Sequence, residues 1–292
     1  MKAKFEKYKM KYITNIFPKY SLTLIYFILC FYHLESKYKH ILFLYNNQIV
    51  LKVKGTGFTS VIKSDFKSYL SEIYVNTNSV EVNSQVYLSY TENEVRLVFS
   101  SVLTSCNSMF YQCYQITEID LTNFISSNIQ DIGDMFINCT SLKSVKFGNF
   151  DTSKINKMHS VFENCESLET LDLSKFDTSK VYEFHRMFLG CKSLKSLDLS
   201  NFITPNLECT REMFRGCTSI TSINLSNIIT SRVRLMYSMF QDCKSLTILD
   251  LSSFDTNYVS EIYNIFSGCE KLEYVNFLKA TFSSYLYSYS NM

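Results

Sequence analysis

The segment CKSLKSLDLSNFITPNLECTREMFRGC, residues 191–217, is one copy of a motif that recurs every 26 residues. A phenylalanine recurs at this period without a single insertion, and a cysteine follows each phenylalanine three residues later. This core ladder consists of Phe110, Cys113, Phe136, Cys139, Phe162, Cys165, Phe188, Cys191, Phe214, Cys217, Phe240, Cys243, Phe266 and Cys269. A fixed period in the twenties is typical of a solenoid, in which each coil buries its apolar face against its neighbours. The pattern therefore predicts that the ladder side chains form continuous interior columns.

The first half of each copy predicts a β-strand. Residues 197–199 (Leu-Asp-Leu) alternate apolar, polar and apolar, as a half-buried strand does. The same alternation recurs at residues 119–121, 171–173, 223–225 and 249–251. Stacked coils pair such strands in parallel about 4.8 Å apart. We therefore expect one parallel sheet, on the concave side of the solenoid.

The second half of each copy predicts a short helix on the convex side. Leu207, Thr210, Met213 and Phe214 are spaced 3, 3 and 1 residues apart, which matches one face of a helix. A hydroxyl residue that can cap the first turn precedes each such segment: Ser126, Thr152, Thr178, Thr204, Thr230 and Thr256. Residues that accept left-handed backbone, as a helix C-cap requires, stand before the ladder cysteines: Asn138, Asn164, Gly190, Gly216, Asp242 and Gly268. The predicted fold class is thus an α/β solenoid.

Residues 41–104 are predicted to form a β-rich N-terminal capping region. Runs of β-branched and aromatic residues, broken by Gly, Asn and Ser, predict five short strands. They lie at residues 49–55, 71–76, 79–83, 85–90 and 94–99. The exposed apolar end of the first coil of a solenoid must be shielded from water by a capping structure. Residues 41–104 precede the repeats directly and can form this cap. Residues 105–292 are then assigned to the repeats.

Residues 1–40 have the charge pattern of a targeting segment. Six lysines precede an uncharged apolar run at residues 20–34, which is typical of a secretory signal or a signal-anchor. The run is short for a membrane-spanning helix, which needs roughly 17 to 25 residues. Membrane association through this run, cleavage of the segment, and packing of the run as a buried helix or strand on the next domain all remain open.

Composition and motifs exclude two classes of function. A formal net charge of +2 argues against nucleic acid as a partner. The sequence contains no phosphate-binding glycine loop, dinucleotide fingerprint or zinc-protease motif, and no histidine is paired with a nucleophile. His159 and His185, 26 residues apart, are interpreted as exposed structural side chains. We expect no enzyme activity, no cofactor and no metal site, and we interpret the ladder cysteines as small core-filling residues.

A mostly acidic column follows the predicted strands. It lies at the position between the two inward-facing residues, which also carries Lys146 and Asn276. The candidate face within it consists of Asp120, Asp172, Asp198, Asn224 and Asp250. One hypothesis is that this column is a concave binding face for a basic partner or a cation, because solenoids usually bind there. The alternative is that each aspartate bonds locally to the hydroxyls and amides of the following turn.

The repeat order CxSLxxLDLSxFxTSxVxxMxxMFxG resembles the BspA-type leucine-rich repeats of microbial cell-surface proteins, over roughly residues 94–277. The resemblance implies a leucine-rich-repeat superhelix. It also implies a secreted or surface-anchored, non-enzymatic protein that mediates adhesion by binding a protein or a glycan. A second hypothesis, from another class, is an intracellular repeat scaffold tethered by its apolar N-terminus. Protease accessibility on intact cells discriminates between the two.

Overall fold

The structure is a computed structural model that describes residues 47–277. An antiparallel region comes first, with β1 Gln48–Lys54, β2 Gly57–Ser60, a 3-10 helix Ser64–Tyr69, β3 Leu70–Val75, β4 Asn78–Val80, β5 Gln85–Leu88 and β6 Glu92–Phe99. One short strand in most coils of the repeat region follows, as β7 Ile116–Asp120, β8 Ser144–Lys146, β9 Ser196–Asp198, β10 Ser222–Asn224, β11 Ile248–Asp250 and β12 Tyr274–Asn276. Within these residues no helix is long and apolar enough to cross a membrane. The predicted signal segment 1–40 lies outside the described residues.

The antiparallel region joins the repeats through a shared sheet. Strands β1, β3, β4, β5 and β6 lie where the sequence predicts strands, and β2 is additional. The largest sheet has the order β4-β3-β6-β1-β7-β8. In it β1 pairs antiparallel with β7, so that Leu51 lies opposite Ile119. The first strand of the repeats is therefore covered by β1, and its backbone groups are hydrogen-bonded on that side. The boundaries predicted at residues 40 and 104 stay predictions.

Strands one period apart pair in parallel. Ile119 lies opposite Val145, Leu197 opposite Ile223, and Leu249 opposite Val275. Strand pairing does not run along all the coils, because residues 170–172 form no strand and β10 is not paired with β11. The expectation of one continuous parallel sheet is therefore corrected to three separate parallel pairs.

The prediction of a short helix in the second half of each copy is wrong. Residues 207–214 contain turns and no helix, and the same holds for the other described copies. The Phe214 N–H donates to the C=O of Met239 in the next coil at 2.9 Å, and the Thr210 N–H donates to the C=O of Leu235 at 2.9 Å. Met213 N–H closes a tight turn onto Thr210 C=O at 3.2 Å. Alternate amides thus bond between coils, whereas a helix requires every amide to bond four residues back in its own coil.

The fold class is accordingly corrected from α/β to a mostly β solenoid. Single parallel bridges connect this second half from coil to coil, at Ser105, Asp131, Lys157, Glu183, Cys209, Leu235 and Glu261. The predicted left-handed residues do have positive φ, for example 59° at Asn138 and 74° at Gly216. They close turns, not helices. We call this side of the repeats the turn face and the side formed by β7–β12 the strand face.

The hydroxyl residues that were predicted to cap helices, from Ser126 to Thr256, form a hydroxyl column. This column connects coils and does not cap helices. The Thr204 hydroxyl donates to Ile229 C=O at 3.1 Å and accepts from Ile229 N–H at 2.9 Å. Thr230 makes the same pair of bonds to the backbone of Asp255. Thr204 and Thr230 are buried, so these bonds satisfy backbone groups that water does not reach.

The core ladder lies in the interior. Its phenylalanine rings stack from coil to coil with centroids 5.4 to 5.8 Å apart. Each cysteine Sγ from Cys139 onward donates to the C=O of the phenylalanine 29 residues earlier, at 3.0 to 3.2 Å. The phenylalanines and cysteines of the ladder are fully buried from Phe110 to Cys243. The last pair, Phe266 and Cys269, is partly exposed. Cysteine therefore both fills space and satisfies a buried carbonyl.

In the folded protein, the ladder thiols are expected to react slowly with Ellman's reagent. The thiolate is the reactive form, and burial raises the pKa of Cys113 to about 12. Burial raises the pKa of the partly exposed Cys269 only to about 11, so Cys269 should react first among the ladder thiols. All nine cysteines in residues 47–277 are free. Unfolding without reductant should therefore expose at least nine thiols, and a smaller absorbance change would contradict the core-filling role.

Candidate functional site

The predicted acidic column lies on the strand face, and its side chains bond locally. Each carboxylate or amide Oδ1 accepts the backbone N–H two residues later: Asp120 from Thr122, Asp172 from Ser174, Asp198 from Ser200, Asn224 from Ser226 and Asp250 from Ser252. Hydrogen bonds from the Ser174 hydroxyl and amide lower the pKa of Asp172. This local bonding is the alternative that the sequence left open, and it accounts for aspartate at this position.

The column nevertheless presents charge to solvent. Asp172, Asp198 and Asp250 are exposed. Asp120 differs from them, because its Oδ2 forms an ion pair with Lys146 Nζ at 3.0 Å. The negative charge of the strand face is therefore concentrated at the coils from Asp172 onward, where a partner can reach it.

A cleft interrupts the strand face between residues 144–150 and 170–176. Its volume is about 490 Å³, which is within the range of about 300–1,000 Å³ for ligand pockets. The apolar lining consists of Val145, Phe147, Phe150, Leu171 and Phe176. The polar lining consists of Ser144, Lys146, Thr170, Asp172 and Lys175. An apolar interior with a few charged groups at its rim is the usual composition of a binding pocket.

The cleft coincides with the missing strand. Among the described residues, the backbone of residues 170–172 makes no hydrogen bond to β8 or to β9. Exposed backbone groups of this kind are available to an extended segment of another chain, which can pair with them as a strand does. The cleft thus combines apolar surface with unpaired backbone.

A local change of sequence accounts for the cleft. Phe147 occupies a position that is leucine in five other coils, at Leu121, Leu173, Leu199, Leu225 and Leu251. Its ring packs edge-on against Phe176 of the next coil, with centroids 4.8 Å apart. We attribute the break in strand pairing to this larger ring.

Glycine follows Phe147, and it is required there. Gly148 has φ of 58°, and a Cβ at this position would lie 2.8 Å from the Cα of Thr122. The dipeptide Phe-Gly stands where most copies have Leu-Ser. This departure is visible in the sequence, but it was not predicted to mark a site.

A second cluster lies on the turn face. His159 and His185 were predicted to be exposed, but their side chains are only 22% and 16% exposed. Their rings stack with centroids 5.0 Å apart, because the 26-residue period places them in one column. His185 Nδ1 lies 3.3 Å from Glu183 Oε2. One potential ligand atom from each of these three residues lies within 4.8 Å of the other two.

The surroundings of this cluster carry both signs of charge. Burial lowers the pKa of His185 to about 4, and His159, Arg211 and Arg186 act in the same direction, so His185 is neutral at pH 7. Arg186 Nε donates to Glu212 Oε2 at 2.7 Å, and Glu212 also accepts from Arg215. The charge of Arg186 is therefore largely balanced by a buried carboxylate.

Comparisons with known proteins give a matching family and similar solved structures. The family model described as "Mycoplasma protein of unknown function, DUF285" matches residues 104–223 and 191–284. The crystal structure of a leucine-rich repeat protein from Eubacterium ventriosum is similar at 18% identity and a TM-score of 0.34. That match covers 56% of this chain and 38% of the other, so the chain spans well under half the length of that protein. No curated protein matches the chain. Neither description names the BspA type, which stays a prediction.

Proposed function

The chain belongs to the family described as "Mycoplasma protein of unknown function, DUF285", and from this premise we propose that it is a non-enzymatic binding protein that recognises another protein through its strand face. The observation that carries the proposal is the cleft between residues 144–150 and 170–176. It is apolar at its base, charged at its rim and bordered by backbone without strand partners. An extended polypeptide segment matches all three properties at once.

The mode of binding follows from these contacts. An apolar side chain of the partner enters between Phe147, Phe150 and Leu171, where it is removed from water. The partner backbone pairs with residues 170–172, as a strand added to a sheet does. Main-chain hydrogen bonds then contribute affinity, and the apolar pocket contributes selectivity for the inserted side chain.

The acidic column sets the preferred charge of the segment. Next to the cleft, Asp172 and Asp198 are exposed, whereas the charge of Lys146 is paired with Asp120. The second cation of the lining, Lys175, points its Nζ at the C=O of Gly148, 3.5 Å away. A basic residue that follows the inserted apolar side chain meets these carboxylates. Exposed charges of this kind chiefly raise the association rate and discriminate between partners. We therefore expect segments with an aromatic or aliphatic residue next to lysine or arginine.

The proposed location is the cell surface. It is supported by the lysines and the apolar run of residues 1–40, which have the arrangement of a secretory signal or signal-anchor. Adhesion to a neighbouring cell or matrix protein is the role that a surface-exposed binding protein of this kind would serve. Protease treatment of intact cells should degrade the chain, and complete protection until the cells are lysed would favour the intracellular scaffold.

Substitution at the cleft is expected to weaken peptide binding. The probe is a phage-displayed library of random linear peptides, selected on the full 292-residue chain. Thr170 lines the cleft, so Thr170→Arg places a long charged side chain across it. We expect the affinity of the selected peptides to fall at least about tenfold, which corresponds to about 1.4 kcal/mol. Biolayer interferometry measures it.

The next coil supplies a matched control. Ser196 is the residue one period after Thr170, and it is exposed on the strand face outside the cleft. Ser196→Arg adds the same side chain at the equivalent position and should leave peptide affinity unchanged. Equal binding by the Thr170→Arg variant, or a failure to select any peptide, would refute the proposed site.

A further inference from the structure

We propose that His159, Glu183 and His185 bind a divalent transition-metal cation, with Zn²⁺ as the reference ion, on the turn face of the repeats. The proposal is independent of the strand-face function. Two imidazoles and one carboxylate are brought together from two adjacent coils, with their potential ligand atoms within 4.8 Å of one another. Two histidines and one acidic residue form a common ligand set of catalytic zinc and non-haem iron sites.

The period of the repeat creates the site. His159 and His185 occupy the same position in consecutive coils, and Glu183 lies two residues before His185. The single bridge between Lys157 and Glu183 aligns the two coils at this point. Glu183 and His185 therefore face the same way, and His159 lies beside them. Such an arrangement depends on stacking, since in sequence the two histidines are a full coil apart.

The chemistry of the three groups selects the class of ion. Imidazole nitrogen favours zinc, copper, nickel and iron, whereas calcium and magnesium prefer sites made of oxygen ligands alone. Zinc binds nitrogen and oxygen ligands at about 2.0–2.2 Å. In a tetrahedral site this requires ligand atoms about 3.4 Å apart, so the cluster must contract by side-chain rotation. Glu183, at 36% exposure, has the freedom to rotate.

Two further observations at His159 are those expected of a metal ligand. His159 Nδ1 is buried and has no hydrogen-bond partner in the part of the chain that the structure describes. A buried polar atom without a partner is uncommon and requires an explanation, and coordination would provide one. His159 Nε2 lies 3.7 Å from Asp134 Oδ1. A carboxylate beside the second nitrogen of a ligating histidine holds the ring in place.

The metal-binding cluster is bordered by Gly133 in the preceding coil and by Arg211 in the following coil. On one side the His159 ring lies over Gly133, where a Cβ would be 2.5 Å from the ring. The absence of a side chain at Gly133 therefore makes room for the ring. On the other side Arg211 occupies the same column as the histidines. Its positive charge opposes a cation, so Arg211→Gln is expected to strengthen zinc binding.

The test is direct titration of metal into protein. The full chain is freed of metal with a chelator and titrated with Zn²⁺ in a calorimeter. One zinc ion per chain is expected for the wild type. Removing a ligand by His159→Gln, His185→Gln or Glu183→Gln should weaken binding at least about tenfold, because even partners outside the ligand shell contribute about 10–100-fold. The strand-face variant Thr170→Arg should bind zinc as the wild type does.

Glu261 provides the matched control. It lies three periods after Glu183 in the same column, but the residue two positions on is Tyr263. Glu261→Gln should therefore leave zinc affinity unchanged. Unfolding curves of the metal-free variants establish that each is folded, and Glu183→Gln, which alters a partly exposed side chain, provides the test if a histidine variant does not fold.

Several results would overturn the proposal. One is the absence of zinc binding by the wild type, and another is unchanged binding by the double variant His159→Gln/His185→Gln. A third comes from replacing zinc with Co²⁺, whose absorption spectrum reports its ligands. A thiolate-to-cobalt charge-transfer band would assign the ion to cysteine and not to this cluster. A spectrum without that band, lost in the double variant, would support the site.

Discussion

Phe188→Ala is expected to lower the free energy of unfolding by about 3–5 kcal/mol, the usual cost of truncating a buried phenylalanine. Phe188 is fully buried. Its ring stacks on Phe162 and Phe214 with centroids 5.7 and 5.5 Å away. Truncation leaves a cavity that borders both neighbouring coils, and the rigid stack on either side limits collapse into it. Urea denaturation of the full chain, followed by circular dichroism, measures the change.

The position of Phe188 gives this substitution a second effect. Coils of a solenoid contact only their neighbours, so stability is approximately a sum of local interface energies. A weakened interface in the middle of the array is expected to reduce cooperativity, which appears as a lower slope of unfolding free energy against urea concentration. Phe58 is the control, because its side chain is 76% exposed. Phe58→Ala should change stability by less than about 0.5 kcal/mol, and an equally small effect of Phe188→Ala would show that the stack does not hold the coils together.

Thr204→Val is expected to destabilise the protein by about 1–3 kcal/mol, the cost of leaving a buried polar group without a partner. Valine has nearly the shape of threonine, so the core stays filled. The substitution removes the hydroxyl that bonds to both Ile229 N–H and Ile229 C=O. Thr204 is fully buried, and water cannot readily replace these bonds. Thermal and urea unfolding measure the loss.

Thr221 is the control for this substitution. Its hydroxyl also donates to a backbone carbonyl of a neighbouring coil, that of Lys195, at 3.1 Å. Thr221 is exposed, so water takes the place of the hydroxyl when it is removed. Thr221→Val should therefore cost no more than about 0.5 kcal/mol. If Thr204→Val and Thr221→Val were equally mild, the buried hydroxyl column would contribute nothing beyond packing.

The turn face and the strand face differ in how completely their backbone groups are hydrogen-bonded. On the turn face, alternate amides bond to the next coil, so the backbone is largely satisfied and side chains form continuous stacks such as His159 with His185. On the strand face, pairing stops at residues 170–172 and again between β10 and β11. Backbone that is satisfied cannot accept a strand from a partner, whereas backbone that is unpaired can. This difference is the reason for assigning the protein ligand to the strand face.

Several features of the fold follow directly from the residues. The 26-residue period implies stacked coils because only equal coils keep phenylalanine and cysteine in register. The alternation at residues 197–199 predicts a strand, and β9 is present there. Gly216 indicates left-handed backbone, since glycine has no Cβ to clash, and its φ is 74°. Each of these inferences depends on which residue types recur at each position of the repeat, and not on the distance between coils.

The helix prediction failed because it depended on a choice between coils. The spacing of Leu207, Thr210, Met213 and Phe214 matches a helix face. The same spacing is also compatible with a series of turns that includes one left-handed residue, Glu212, with φ of 54°. The deciding factor is where the amides donate. When carbonyls of the neighbouring coil lie within hydrogen-bonding distance of these amides, bonds between coils satisfy backbone groups of both coils. A local helix then offers no additional hydrogen bonds.

The order of side chains along the chain was sufficient to establish that identical coils stack, which residues face inward and where the backbone turns, because these depend on apolarity, on size and on tolerance of positive φ. Only the packing of one coil on the next decided that turns replace helices, that pairing breaks at residues 170–172, and that His159, Glu183 and His185 meet. Hydrogen bonds and contacts between coils join residues about 26 positions apart. Their energies depend on the distance between coils, which a larger ring such as Phe147 changes and which no single copy of the motif specifies.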